Sequence, residues 1–268
     1  MVVIATHQSR LEELGLHTLE RTKAFQGELV KNHRGRRDIF RIKATADDGR
    51  PLVLFLKRNW NPYKKDGLES LLRRGSVWSL SRQEWENSRK LEAAGIRTAA
   101  LVAYGEECGP LWEKFSYIIT EAAAGAQTLD QFLSECHDAV RRRRVFDALA
   151  GQVRKLHEAG LATPDLFARH IFVDAEAEPP QFCLIDMARV DAARPLPARL
   201  RVRDLAALNI TAPVRFVSAR ERLRFLRAYA GGVDRGLVKQ IAGRVQHLLR
   251  RRKFRDFLQR EQDQAPLP

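Results

Sequence analysis

A chain of 268 residues, 44% hydrophobic and 30% charged, is long enough to bury a sizeable core and too apolar to remain unfolded. Its three cysteines, Cys108, Cys136 and Cys183, lack metal-ligand spacing, which excludes a disulfide framework and suits a reducing compartment. A net charge of +14 suits nucleic acid, an anionic membrane surface, or a phosphorylated or acidic substrate, and the lack of zinc-finger, helix-turn-helix or RNA-stacking motifs sets nucleic acid aside.

In chain order, MVVIATHQSRLEEL is too short in its apolar part for a signal peptide, and no later run approaches a membrane span, so a cytoplasmic protein is expected. Residues 8–20 read as one short helix. Gly27 to Lys43 reads as two strands turning at Gly35, followed by an Asp47-Asp48-Gly49 turn and a strand Leu52 to Leu56 that ends in Lys57. Then comes NWNPYKKDGLESLLRRGSVWSL, longer than a bare connection. With Arg58 just before it, it mixes Trp60, Tyr63 and Trp78 with Lys64, Lys65, Arg73 and Arg74, either a surface for sugars and phosphates or a peripheral helix with a solvated basic face. Ser81 to Ala94 is a helix capped by Ser81 and stopped by Gly95; Trp85, Ser88, Leu91 and Ala94 suggest its buried face, with Glu84 and Glu86 pointing elsewhere.

Ala100 to Tyr104 and Phe115 to Thr120 complete a five-stranded first part, and Glu121 to Gly125 follows as a stretch of small residues. Thr128 caps a helix that buries Leu129, Phe132 and Leu133. Arg141 to Arg144 opens a long helix, ending at His157 and Gly160, as a solvated start or a membrane-facing patch. Two short strands come next, Ile171 to Val173 and Phe182 to Ile185. Asp165 precedes the first and Asp186 ends the second, so the hairpin offers one carboxylate to take a proton and one to hold a metal. Ser218 to Tyr229 is an amphipathic helix. A terminal helix from about Leu237 to Gln259 carries a basic face that suits anionic lipid or packs as part of the helical lobe, and the tail EQDQAPLP reads as disordered.

The run Asp165-x-x-x-x-His170 followed by a strand ending in Asp186 resembles the catalytic loop and metal-binding turn of protein-kinase-like proteins. Thr163-Pro164-Asp165 stands for the usual His-Arg-Asp, His170 for Asn, and Asp186-Met187-Ala188 for Asp-Phe-Gly. His170, the Asp186-x-x-Arg189 pattern and Arg201 to Leu205 resemble one branch, the lipopolysaccharide core kinases acting on heptose or Kdo. The resemblance implies an α+β, two-lobed protein-kinase-like fold, with an antiparallel sheet lobe over residues 1–121 that binds nucleotide and a helical catalytic and acceptor-binding lobe over 122–268.

It further implies the cofactors ATP and Mg2+. Asp165 would be the catalytic base, Lys57 would reach the ATP phosphates and be held by Glu84, and Asp186 would hold magnesium with His170 in the second ligand's place. Gly35 would cover the phosphates, Glu121 and Ala123 would meet the adenine edge, and Asp204 would brace the catalytic loop. The expected reaction is phosphorylation of a sugar hydroxyl, heptose before Kdo, on a lipopolysaccharide core glycolipid at the cytoplasmic face of the inner membrane, with peripheral contact to its anionic leaflet. A kinase of another small molecule or of protein shares these residues. The altered motifs motivate the alternative of a catalytically silent lipid- or partner-binding relative, against which the retention of Lys57, Glu84, Asp165 and Asp186 argues.

Overall fold

The structure, a computed structural model, describes residues 1–33, 35–46, 49–62, 70–72, 75–123, 127–213, 215–251 and 254. It divides into two units: the first takes residues 1–93, 98–123 and 186–189, and the rest of the described chain belongs to the second. The expected Asp47-Asp48 turn, the insert residues Tyr63, Lys64, Lys65, Arg73 and Arg74, the stretch Ala124-Gly125, and the chain end with Arg252, Lys253, Arg255 and the tail lie outside the described residues.

The first unit holds, in chain order, β1 (Val2–Val3), α1 (Gln8–Glu13), α2 (Leu19–Ala24), β2 (Glu28–Asn32), β3 (Arg37–Thr45), β4 (Pro51–Trp60), α3 (Leu80–Ala93), β5 (Leu101–Cys108) and β6 (Glu113–Glu121). The strands pair antiparallel in the order β1-β5-β6-β4-β3-β2. Side chains alternate between sheet faces, so register decides what each face carries. Phe40, Leu56, Ile119 and Ala103 lie in one cross-strand row and pack with Leu11 and Leu16. The neighbouring row is Ile39, Lys57, Ile118 and Tyr104, and Trp85 of α3 packs on its last two members. Full burial of Leu54, Leu56 and Ile119 contributes about 1.5–3 kcal/mol each. Lys57 therefore faces α3 as a consequence of register.

Four expectations change here. A sixth strand, β1, pairs with β5, Val2 opposite Tyr104. The helix read over 8–20 is two, broken at Gly15 with φ +68° and restarted where the Thr18 side chain accepts from Arg21 N–H. Lys57 does not end its strand: β4 runs on to Trp60, because Asn59 finds the hydroxyls of Ser81 and Ser116 and Trp60 donates to Asp38. Ser79, not Ser81, caps α3 by accepting from Arg82 N–H at 3.0 Å, while Ser81 turns inward to Ser116.

The second unit holds β7 (Gln127–Thr128), α4 (Leu129–Glu135), α5 (Ala139–Glu158), β8 (Leu161–Ala162), β9 (Ile171–Asp174), β10 (Gln181–Leu184), β11 (Asp191–Ala192), α6 (Ala198–Thr211), α7 (Ala219–Ala230) and α8 (Arg235–Leu249). Asp138 caps α5 and Ser218 caps α7. Helix α6 is buried on nearly every side from Val202 onward, which marks it as the centre of this unit. Gly160 ends α5 at φ +78°; a Cβ there would lie 2.5 Å from the Ala193 carbonyl, so the turn demands glycine. The arginine run is not a solvated helix start throughout. Arg142 is buried, pairs with Glu221 at 2.6 Å and donates to the carbonyls of Leu133, Cys136 and Phe216, while Arg141 and Arg144 pair with Glu176 and Glu178. Among the described residues no helix is long and apolar enough to cross a membrane.

Candidate active site

In the first unit the sheet and α3 bring four charged side chains together. Lys57 Nζ donates to both oxygens of Glu84, at 2.7 and 2.8 Å, and to Asp186 Oδ1 at 3.1 Å. Arg37 Nη2 donates to the same Asp186 oxygen at 3.0 Å. Glu84 does not point away from the buried face of α3, as its neighbours suggested. Ser81, Glu84, Trp85, Ser88 and Leu91 form one stripe at helical spacing, and Glu84 is its acid. Asn87, one turn on, donates to the carbonyls of Met187 and Ala188 at 3.0 Å each and so holds the segment after Asp186 against α3. Asp186 itself has φ +59°, a left-handed conformation that costs an aspartate about 1 kcal/mol and is offset by the cations on its carboxylate.

The turn between β2 and β3 is closed on itself. Gly35, at φ +70°, donates its N–H to Asn32 Oδ1 at 2.9 Å, and Arg36 N–H goes to the His33 carbonyl. At the end of β6, Glu121 N–H is taken by the Ala100 carbonyl and Ala122 N–H by that of Val53; the Glu121 carboxylate lies 3.6 Å from His7. Ala123 follows directly in the same unit.

In the second unit the loop from Thr163 to His170 hangs from α6 by two side chains seven residues apart, on one face of that helix. Asp204 Oδ2 accepts from Thr163 N–H at 2.6 Å, and Thr211 Oγ1 accepts from Ala168 N–H at 3.0 Å. Thr163 fills the place of the usual histidine and accepts from Asp165 N–H through its hydroxyl. Asp165 is largely buried, and its carbonyl accepts from His170 Nδ1–H at 3.0 Å. Arg169 Nε–H donates to His170 Nε2 at 3.3 Å, so both ring nitrogens are engaged within the loop.

An imidazole does reach this loop from α5. His157 lies between Tyr229 (Nδ1 to hydroxyl, 2.8 Å) and Asp204 (Nε2 to Oδ2, 3.4 Å), all three buried. Burial lifts the Tyr229 phenol to about 12, so it stays a donor, and His157 then donates through Nε2 to Asp204. Burial works against the Arg203 charge, and Asp204 and Asp191 outweigh it, leaving its pKa above the ordinary arginine value. Sequence reasoning missed Arg37, Asn87, Thr211 and the His157–Tyr229 link. Helical spacing from Glu84 and Asp204 was the one signal available for Asn87 and Thr211.

Among the described residues no three His, Cys, Asp or Glu side chains gather as a metal cluster. The donor chemistry around Asp186 nevertheless suits magnesium. Its carboxylate is a hard oxygen ligand, for which Arg37 and Lys57 would compete with the metal, and magnesium characteristically takes one or two carboxylates together with substrate phosphates.

A strand lysine held by a helix acid, beside an aspartate in a left-handed turn, together with an Asp-loop hung from a buried helix, defines a phosphotransferase of the protein-kinase-like class. The comparisons with known proteins narrow this. The model of the lipopolysaccharide kinase (Kdo/WaaP) family matches residues 20–229, and the chain belongs to that family. It is 30% identical over 239 residues to the lipopolysaccharide core heptose(I) kinase WaaP of Pseudomonas aeruginosa, spanning 85% of this chain and 86% of that one. To the WaaP of Escherichia coli it is 24% identical over 237 residues, spanning 85% and 87%. A solved structure described as WaaP in complex with acyl carrier protein superposes with a TM-score of 0.66 at 26% identity, over 96% of this chain and 99% of that one.

Proposed function

We infer that this chain transfers the γ-phosphoryl group of ATP to a heptose hydroxyl of the lipopolysaccharide inner core. The observation that carries the chemistry is the Lys57–Glu84–Asp186 constellation, and the named relatives supply the acceptor. Lys57 neutralises the ATP phosphates, and Glu84 holds its ammonium in place. Asp186 would hold magnesium, which would supply positive charge to offset that of the phosphates. Asp165 orients the acceptor hydroxyl and accepts its proton, on a loop that Thr163, Asp204 and Thr211 keep rigid. His170, with both nitrogens engaged, acts as the brace of that loop. Gly35 and Arg36 give their amides to the turn, so side chains rather than a glycine cradle meet the phosphates. The adenine edge falls to the main chain of Glu121 and Ala123.

The test is ATP consumption with magnesium, with and without dephosphorylated lipopolysaccharide core, alongside Asp165→Ala. Acceptor-dependent turnover that disappears in the variant is expected. Salt-sensitive glycolipid binding without turnover in either protein would leave a silent relative.

A second surface bears on partners. A cleft of about 900 Å³ beside α5, α7 and α8 is lined by Arg143, Arg220 and Arg227, around exposed Leu223 and Val233. These three arginines pair with no acid among the described residues. Such a surface fits an acidic protein face with apolar knobs, and the related WaaP structure holds acyl carrier protein. An acidic carrier protein is the partner we assign to it. Peripheral contact with an anionic leaflet is assigned to the basic surface as a whole.

A further inference from the structure

The first unit has a cation the reaction scheme leaves unused. Arg37 opens β3 directly after the Gly35 turn and is paired in register with Asn59, as Ile39 is with Lys57. Residues two apart on a strand share a face, so Arg37 and Lys57 project from the same side of the sheet and meet on one atom, Asp186 Oδ1. The four groups Arg37, Lys57, Glu84 and Asp186 balance in charge. Among the described residues of the turn, the Gly35 N–H is held by Asn32 and the Arg36 N–H by His33, so these two amides are already committed. With the guanidinium bonded to this carboxylate, a divalent cation would compete for the carboxylate and a polyphosphate for the guanidinium.

We propose that Arg37 is a phosphate-binding residue that rests on Asp186 until nucleotide arrives and then passes to the β- and γ-phosphate oxygens. Its side chain is 34% exposed and reaches across 149 positions of sequence to Asp186, so it sits at an accessible edge of the cluster. Guanidinium matches phosphate in a two-pronged way that an ammonium cannot. While Arg37 rests on Asp186 it competes with metal for that carboxylate; once transferred, it leaves the carboxylate open and neutralises phosphate charge. The proposal rests on the phosphotransferase reading and deepens it: Arg37 couples nucleotide entry to metal affinity.

The experiment is direct binding, without turnover. Affinities for ATP, ADP and AMP are measured calorimetrically for the wild type, Arg37→Ala and Arg37→Lys, and Mn2+ binding to the nucleotide-free proteins is measured by electron paramagnetic resonance. Arg37→Ala is expected to lose at least tenfold in ATP affinity and less for ADP, to leave AMP within twofold, and to bind Mn2+ at least threefold more tightly; Arg37→Lys restores part of the ATP affinity. Unchanged ATP affinity in Arg37→Ala overturns the proposal. So does an equal loss for ATP and AMP accompanied by a lower melting temperature, which would mean a structural role. A wild type that binds no ATP at all overturns the phosphotransferase reading first and this one with it.

Discussion

Lys57 lies between two carboxylates, 2.7 Å from Glu84 and 3.1 Å from Asp186, and the nearer one decides where its charge sits. Glu84→Gln removes that preference, and Lys57 then settles on Asp186, where it opposes metal binding. The variant is expected to need several-fold more magnesium for half-maximal phosphotransfer, with turnover lower by about two orders of magnitude from misplacement of the lysine. A magnesium titration of the rate checks it; an unchanged requirement would show that Glu84 acts on Lys57 alone. Lys57, Asp165 and Asp186 could be singled out in the sequence because each lies beside a short apolar run. Glu84 was legible only through family resemblance, since the stripe Ser81, Glu84, Trp85, Ser88, Leu91 mixes polar and apolar residues and hides its periodicity. Arg37 was not legible. Within RGRR no arginine differs from its neighbours until the fold pairs one with a carboxylate far along the chain.

Helix α6 acts on the catalytic loop from behind, through Asp204 and Thr211. Thr211 Oγ1 donates to the Ala207 carbonyl and accepts from Ala168 N–H, so Thr211→Val leaves a buried amide without a partner at a cost of about 1–3 kcal/mol. That loss loosens the loop carrying Asp165 without touching Lys57 or Glu84. The expected result is a several-fold lower kcat at unchanged KM for ATP, measured by steady-state kinetics; a matching change in ATP KM would show that the substitution reaches the first unit's site.

Tyr229, on α7, supports the same loop through His157 and Asp204 and makes stability pH-dependent. Burial raises its phenol from the ordinary 10.0 to about 12. A pKa raised on folding gives stability that is complete below pH 10 and is lost as pH climbs from 10 toward 12. Burial raises Tyr117 to about 12 as well, so Tyr229→Phe should flatten the alkaline fall in melting temperature only in part. At neutral pH the same variant loses the donor to His157, about 1 kcal/mol. Strands and most helices at this scale were readable from alternation and caps, whereas Ser79 against Ser81 was a one-residue choice that capping patterns do not resolve. The two-helix start was hidden because Gly15 reads equally well as a helix interior or a break.

The net charge of +14 overstates the cationic surface, because the fold consumes part of it. Arg58 is buried and bonded to Asp38 and to the carbonyls of Thr22, Lys23 and Phe25, Arg142 is buried beside Glu221, and Arg203 is tied to Asp191 and Asp204. A sequence cannot separate such structural arginines from solvated ones, which is why the arginine run in the first turns of α5 misled. What stays outward is distributed unevenly: Arg143, Arg220 and Arg227 collect at one cleft around Leu223 and Val233. Charge reversal of these three to Glu distinguishes two partners that net charge alone would not. If the cleft receives an acidic carrier protein, the triple variant loses carrier binding by at least tenfold in calorimetry, since each like-charge contact is unfavourable at a desolvated interface. Its binding to vesicles containing anionic phospholipid should fall by less, because each basic residue near a bilayer contributes about 1 kcal/mol wherever it lies and many others remain. The opposite ranking, with vesicle binding abolished and carrier binding intact, would assign the cleft to the membrane.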